Sequence, residues 1–406
     1  MEVAVSLHIL SLLLFLSHVS ALPAAQCSNQ TAKGTARTAR AVYFLTNDCS
    51  NSVVALKVNN DGTLSDGSIT PTDGAGGNGF DVAKNQSSAP DALFSQGALK
   101  VAGNSLVAVN AGSNTLSMFN IDAADPTKLT AVGEPVDTMG EFPVSVDIST
   151  KLSQACVANG GAQAGVACFS MDTQAGLQPL DCKARQFNIN QSTPPVGPEG
   201  TVSHTFFNSD ETALLTTVKG NPATGDPGFL SMFPIENGQV SMQDVQSSPN
   251  GTAVLFGSTN IPGTSNILAT DASFGGAVIN IDGSGQGQVV AMAEIGNQKA
   301  TCWATFSEST GTAFVTDVGV NHVVEIDPSD GTILQETTLT NGNPGLIDLQ
   351  AAGDFVYALS PGDGTVAPAV TVLDVSGGPG SAKEIQNFNP QGAISANAMG
   401  MTVFMG

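Results

Sequence analysis

His204, in TVSHTFFNSDETALLTTVKG, is one of only two histidines beyond residue 21; the other is His322. A neutral imidazole moves protons near neutral pH when a carboxylate orients it. Glu141, in GEFPVSVDIS, offers such a carboxylate, and Lys219, at the end of the stretch that holds His204, offers an ammonium for a carboxylate or an oxyanion. Arg185 adds a second cation, while Trp303 and Phe142 can form apolar walls. The chemistry these six residues suggest is proton transfer beside an anionic group, with His204 and Glu141 as the catalytic pair and the other four binding substrate. His322, in VGVNHVVEID, sits at a turn into a strand and reads as structural.

Something must bring residues so far apart in sequence to one place, and a repeat does it. Short apolar strand, polar or Gly-rich turn, second apolar strand recurs seven times, beginning near Val42, Val107, Cys156, Leu214, Ile267, Phe314 and Val356. Successive starts lie 65, 49, 58, 53, 47 and 42 residues apart, the period of a four-stranded propeller blade. Gly 45 and Pro 21 supply turns, and long helix-forming stretches are missing. The chain reads as all-β, a single seven-bladed β-propeller over residues 41–406. Its first copy begins at the second strand of a blade, and NAMGMTVFMG is a strand left over at the C-terminus. That strand is expected to become the inner strand of blade one and so close the ring. In this topology the approach to each inner strand and each second-to-third turn emerge on one face, around the channel mouth. Glu141, Phe142, His204, Cys302 and Trp303 are expected there, with Asn110, Asn159, Lys219, Asp271 and Asp317 from the turns.

Residues 1–21 form a separate object. SLHILSLLLFLSHVSA has the length of a signal-peptide apolar core and ends in the small-residue pattern Val19-Ser20-Ala21, so a cleaved secretory leader is expected, followed by a tail over 22–40. Sequons at Asn29, Asn85, Asn190 and Asn250 fit a secreted glycoprotein. The six cysteines fit the same location. Cys156 and Cys168 flank the GGAQAG turn symmetrically and are expected to bridge; Cys27 and Cys49 can tie the tail to blade one, and Cys182 and Cys302 are left over.

A net charge of −22 argues against nucleic acid and anionic membrane as partners, since both need clustered Lys and Arg. No second apolar stretch suggests a membrane span. Asp48, Asp271 and Asp317 occupy related turn positions, where carboxylates cap their own backbone, and no His/Cys spacing suggests zinc. No metal or cofactor is expected, and a monomer is expected because the ring closes on itself.

GNSLVAVNAGSNTLSMFNID and SHTFFNSDETALLTTVKG resemble the lactonase-type seven-bladed propeller family of 6-phosphogluconolactonase-like enzymes and carboxymuconate cyclases. GEFPVSVDIS, TPPVGPEGTVSH, KATCWATFS and the closing GMTVF are similar to its secreted carboxymuconate cyclase-like members. The resemblance implies cofactor-independent formation or opening of a lactone, isomerase or lactonase chemistry, with His204 matching the family's histidine in HTFFNSDE. It also implies arginines that grip substrate carboxylates. Arg185 is the only arginine inside the repeats, and Cys302 and Trp303 stand where relatives carry charge, so a two-arginine clamp cannot be built.

Two functions therefore stand side by side at this point. One is a secreted enzyme that forms or opens a lactone on a small organic acid at the channel mouth. The other is a non-catalytic, adhesin-like protein that recognises a glycan or another protein.

Overall fold

The computed structural model describes residues 38–406 together with Met1. The expected leader, the sequon at Asn29 and the proposed Cys49 partner, Cys27, lie outside the described residues apart from Met1. Residues 38–406 belong to one compact unit.

The described residues contain strands and no helix, and the strands form seven radial antiparallel sheets. Inner strands are Met399–Met405, Leu99–Ala102, Pro143–Ser149, Val202–Phe207, Leu255–Asn260, Thr301–Ser307 and Ile347–Ala352, for blades one to seven. The second strands of blades two, three and six, SLVAVN, QACVAN and TAFVTD, are buried at every position. Both faces of each sheet are covered by the neighbouring blades, so apolar and small residues run on without the polar alternation of a half-exposed strand. Outer strands such as GQVVAMAE alternate, because only one of their faces packs.

Ring closure follows the expectation from the sequence. The C-terminal strand lies antiparallel against Ala39–Leu45, pairing Ala41 with Phe404, Val42 with Val403 and Tyr43 with Thr402. A disulfide joins Cys156 to Cys168, which face each other in register across the second and third strands of blade three. Cys49 and Cys182 are exposed thiols and Cys302 is a buried one. Asn85, Asn190 and Asn250 are exposed and outside strands. Among the described residues, no helix is long and apolar enough to cross a membrane.

The connection from blade one to blade two is long, from Pro71 to Leu99. Part of it, Phe80–Asp81 and Gln86–Ser87, forms a small sheet with Val196–Gly197 from the connection into blade four. This small sheet packs on Phe94: a Cβ at Gly79 or Gly197 would meet the Phe94 ring.

Candidate functional site

The inner strands are irregular at the end where they begin. Register shifts fall between Pro143 and Ser145, Val202 and His204, Leu255 and Ser258, Thr301 and Trp303, and Ile347 and Leu349. Each is a bulge near the start of an inner strand, and bulges re-aim side chains. The residues skipped at the bulges of blades four, six and seven are Ser203, Cys302 and Asp348, and all three are buried.

That end of the channel is filled by the chain itself. Leu93, Phe94, Ser95 and Gln96 are buried. Gln96 reaches across the ring: its Nε2 donates to the Ser258 and Ala304 carbonyls at 3.2 and 3.0 Å, and its Oε1 accepts from the Ala304 N–H at 2.9 Å. Gly257 makes room, since a Cβ there would collide with the Gln96 carboxamide. Trp303, fully buried, donates its indole N–H to the Ser95 carbonyl at 3.0 Å and packs edge-on against Phe256. Replacing Trp303 with alanine is therefore expected to cost about 3–5 kcal/mol, read as a lower midpoint in chemical denaturation.

Lys219 also serves this plug. At the end of a second strand, blades two, three, five and six carry Asn110, Asn159, Asp271 and Asp317. Asp271 and Asp317 accept backbone N–H groups of the approach to their own blade's inner strand, at Ala253 and Val254 and at Lys299 and Ala300, as turn-capping carboxylates do. In blade four Lys219 takes that place and turns inward. Its Nζ donates to the Phe94 carbonyl at 2.6 Å and to Ser203 Oγ at 2.8 Å and lies 4.2 Å from the centroid of Phe256. Burial pulls its pKa down, opposed by Asp91, and burial pushes Asp91 up, opposed by Lys219.

His204 lies beside this plug, against Gly97 and Ser145: a Cβ at Gly97 would come within 3.3 Å of the imidazole Cδ2 and Nε2 and of Ser145 Oγ. Gly97 has φ +80°, a backbone conformation that favours glycine, and the imidazole leaves little room for a Cβ there. The ring stacks on Phe206 with centroids 4.8 Å apart, and the buried Nδ1 has no hydrogen-bond partner. Burial first, and then the positive Lys100, lower its pKa from 6.5 to about 3, so the imidazole is neutral at physiological pH. Lys100 pairs with Asp147 at 3.0 Å, and that pairing raises the lysine pKa. Asp147 also accepts the Phe207 N–H at 2.7 Å.

Asp348 accepts the Gly97 N–H at 3.1 Å and its own neighbour's, Leu349, at 2.9 Å, and is fully buried. Burial raises its pKa to about 7 despite those bonds. A carboxyl bound more tightly to its proton when folded stabilises the fold below its unfolded pKa, near 4, and loses that contribution as pH rises through 7. Asp348→Asn is thus expected to match the wild type at pH 4 and to exceed it at pH 8 by up to about 4 kcal/mol, measured by urea denaturation at the two pH values.

The structure does not gather all six expected residues. Glu141 is partly exposed and bonded to Thr193 Oγ1 and to Gln163 Nε2, with no hydrogen bond to His204. Arg185 is away from the channel: buried, it pairs with Asp181 through Nη1 at 2.5 Å and Nη2 at 3.0 Å and donates to the Val240 and Ser241 carbonyls. With a contact from Nη1 to Cys168 Sγ at 3.8 Å, these bonds use all five guanidinium N–H donors. Phe142 is buried, its N–H on Asn114 Oδ1. Lys219 and Trp303 are bonded to the plug rather than open to an incoming molecule. Sequence reasoning did not single out Gln96, Lys100, Asp147 or Asp348. NPGLIDLQ places Asp348 at the same bulge as Ser203 and Cys302, a signal that aligning the inner-strand starts reveals.

With this geometry in view, residues 34–188 match the model of the family described as lactonase, 7-bladed beta-propeller. Over those residues the chain is similar to the lactonase-type propeller family, as the sequence motifs imply. No curated protein matches it. Among solved structures, this propeller is similar to a periplasmic gluconolactonase of Pseudomonas aeruginosa, at TM-score 0.60 and 16% identity, over 89% of this chain and 99% of that one. It is also similar to a Bacteroides fragilis protein described as a candidate 6-phosphogluconolactonase, at TM-score 0.57 and 12% identity, over 90% and 98% of the two chains. At such identities the shared property is the fold.

Proposed function

We propose that the protein opens, or in reverse forms, a lactone ring on a small organic acid, with His204 as the proton-moving group. One observation carries this reading: a neutral imidazole with an unpartnered buried Nδ1 lies against Gly97 and Ser145 beside the inner strands, whereas His322, read as structural, bonds Glu336 through its Nδ1. In hydrolysis His204 takes a proton from water as the water oxygen bonds to the lactone carbonyl carbon. The tetrahedral oxyanion then collapses, the ring C–O bond breaks, and the proton passes to the departing alkoxide. A hydroxy acid results. The names of the similar gluconolactonase and candidate 6-phosphogluconolactonase support a lactone as substrate. Glu141, held by Thr193 and Gln163, has no part in this step, and Lys219, Phe142 and Trp303 act through the walls of the site.

The reading includes secretion, since the disulfide, the exposed sequons and the apolar leader sequence all fit an extracellular protein. The protein is proposed to act as a monomer. The test is incubation of purified protein with sugar lactones, simple γ- and δ-lactones and muconate-type acids, followed by NMR of the products. Ring opening or closure above the uncatalysed rate is expected for at least one class. No turnover across the panel, together with retention on a glycan array, would establish the binding protein instead.

A further inference from the structure

We propose that substrate reaches His204 from the end of the channel where the first-to-second strand turns lie, past Lys100, and not from the end where the inner strands begin. This rests on the proposed lactone chemistry at His204 and adds the route and the group that guards it.

One end of the channel is shut. Leu93, Phe94, Ser95 and Gln96 are buried, and the Gln96 carboxamide is bonded on both sides to blades five and six. Lys219 and Trp303 each hold a carbonyl of the same segment, and the small sheet of Phe80–Asp81, Gln86–Ser87 and Val196–Gly197 packs on Phe94. Admitting a ligand there means breaking these bonds together inside a low-dielectric space, where unpaired polar groups are costly.

At the other end Lys100 reaches solvent. Lys100 follows Gly97 by three residues down the inner strand of blade two, so it lies beyond His204 from the plug. Its side chain is 43% exposed although Asp147, with which it pairs, is 8% exposed, and burial works against its charge. Lys100 stands beside Asp147 and Asp348 of the inner strands of blades three and seven and still touches solvent, as a group lining an open passage does. Its ammonium is the cation on that passage near His204, and it faces Asp147 and Asp348. An anionic lactone or hydroxy acid entering here meets Lys100 first. Once bound, its negative charge offsets the repulsion that Lys100 exerts on a protonated His204.

Alternation along the strand puts Ala102 on the same face as Lys100, nearer the turn at Gly103. The experiment uses Lys100→Cys and Ala102→Trp in the full chain. Lys100→Cys is treated with a small anionic methanethiosulfonate, and the labelled peptide is identified by mass spectrometry, which separates it from exposed Cys49 and Cys182. Phe80→Ala, on the outside of the cap, is the control. The expected result is rapid labelling at position 100 in the folded protein, loss of turnover on labelling, and loss of turnover in Ala102→Trp with Phe80→Ala unchanged. A position 100 that stays unlabelled in the folded protein, or turnover that survives both the label and Ala102→Trp, overturns the route. Wild-type protein that turns over no lactone defeats the lactone reading by itself, and labelling still reports whether the passage is open. If Lys100→Cys fails to fold, Ala102→Trp decides the matter.

Discussion

His204→Ala is expected to lower kcat/KM for lactone opening by about 10²–10⁴-fold, the range that a positioned proton-transfer group supplies. The fold should tolerate the change, because the imidazole makes no hydrogen bond through Nδ1 and its chief contact is the stack on Phe206. The pH profile separates this role from a merely structural one. In the free protein His204 has a pKa of about 3, set by burial and then by Lys100. Wild-type kcat/KM, which reports the free protein, is therefore expected to stay level from pH 7 down to about 4, where an exposed histidine of pKa near 6.5 would already have lost its basic form. An anionic substrate beside Lys100 raises the basicity of the bound imidazole, so the acid limb of kcat should lie at higher pH than that of kcat/KM. Stability runs the other way. A folded-state pKa below the unfolded one makes protonation of His204 oppose folding progressively as pH falls from about 6.5 toward 3. A kcat/KM that declines with a midpoint near 6.5 would contradict the buried, neutral imidazole.

Deleting Met399–Gly406 is expected to remove the folded monomer altogether. Met399, Met401 and Phe404 are buried, and their side chains together contribute on the order of 5–9 kcal/mol, comparable with the whole net stability of an ordinary domain. The deletion also strips Ala39–Leu45 of its partner and leaves a long apolar edge strand, which invites pairing between chains. Size-exclusion chromatography with circular dichroism should show aggregate or unfolded chain. A soluble monomer with an intact strand signal would show that blade one holds without its inner strand.

The fold was legible because its evidence is repeated. Seven strand–turn–strand copies at blade spacing, an orphan last strand and a first blade with no inner strand each fix part of the ring, and all agree. The Cys156–Cys168 pair was legible for a local reason: two cysteines placed symmetrically about one hairpin turn meet in register. The site was legible only in part. His204 was marked by its rarity and by its place at the start of an inner strand, and Lys219 by standing where other blades carry Asn or Asp. What they touch depends on the 27-residue span between blades one and two, whose Gly-rich GAGGNGF and polar NQSS give no local sign of a buried segment. Its path into the channel is set by one glutamine reaching blades five and six, contacts 162 and 208 residues away in sequence, for which no local pattern exists. Arg185 shows the opposite error. Its scarcity made it look like a substrate-binding group, yet Asp181, four residues earlier, was already its partner.

The most direct test of the account follows the His204 imidazole itself by carbon-detected NMR of protein labelled at histidine Cε1. Residues 22–406 contain only His204 and His322, so a His322→Gln sample assigns both signals. The account predicts that the His204 signal stays that of a neutral ring from pH 7 to about 4 and shifts when a lactone that is turned over, or its hydroxy acid, is added. A His204 signal that titrates near 6.5, or that does not move while such a substrate is bound, would place the chemistry somewhere other than at this histidine.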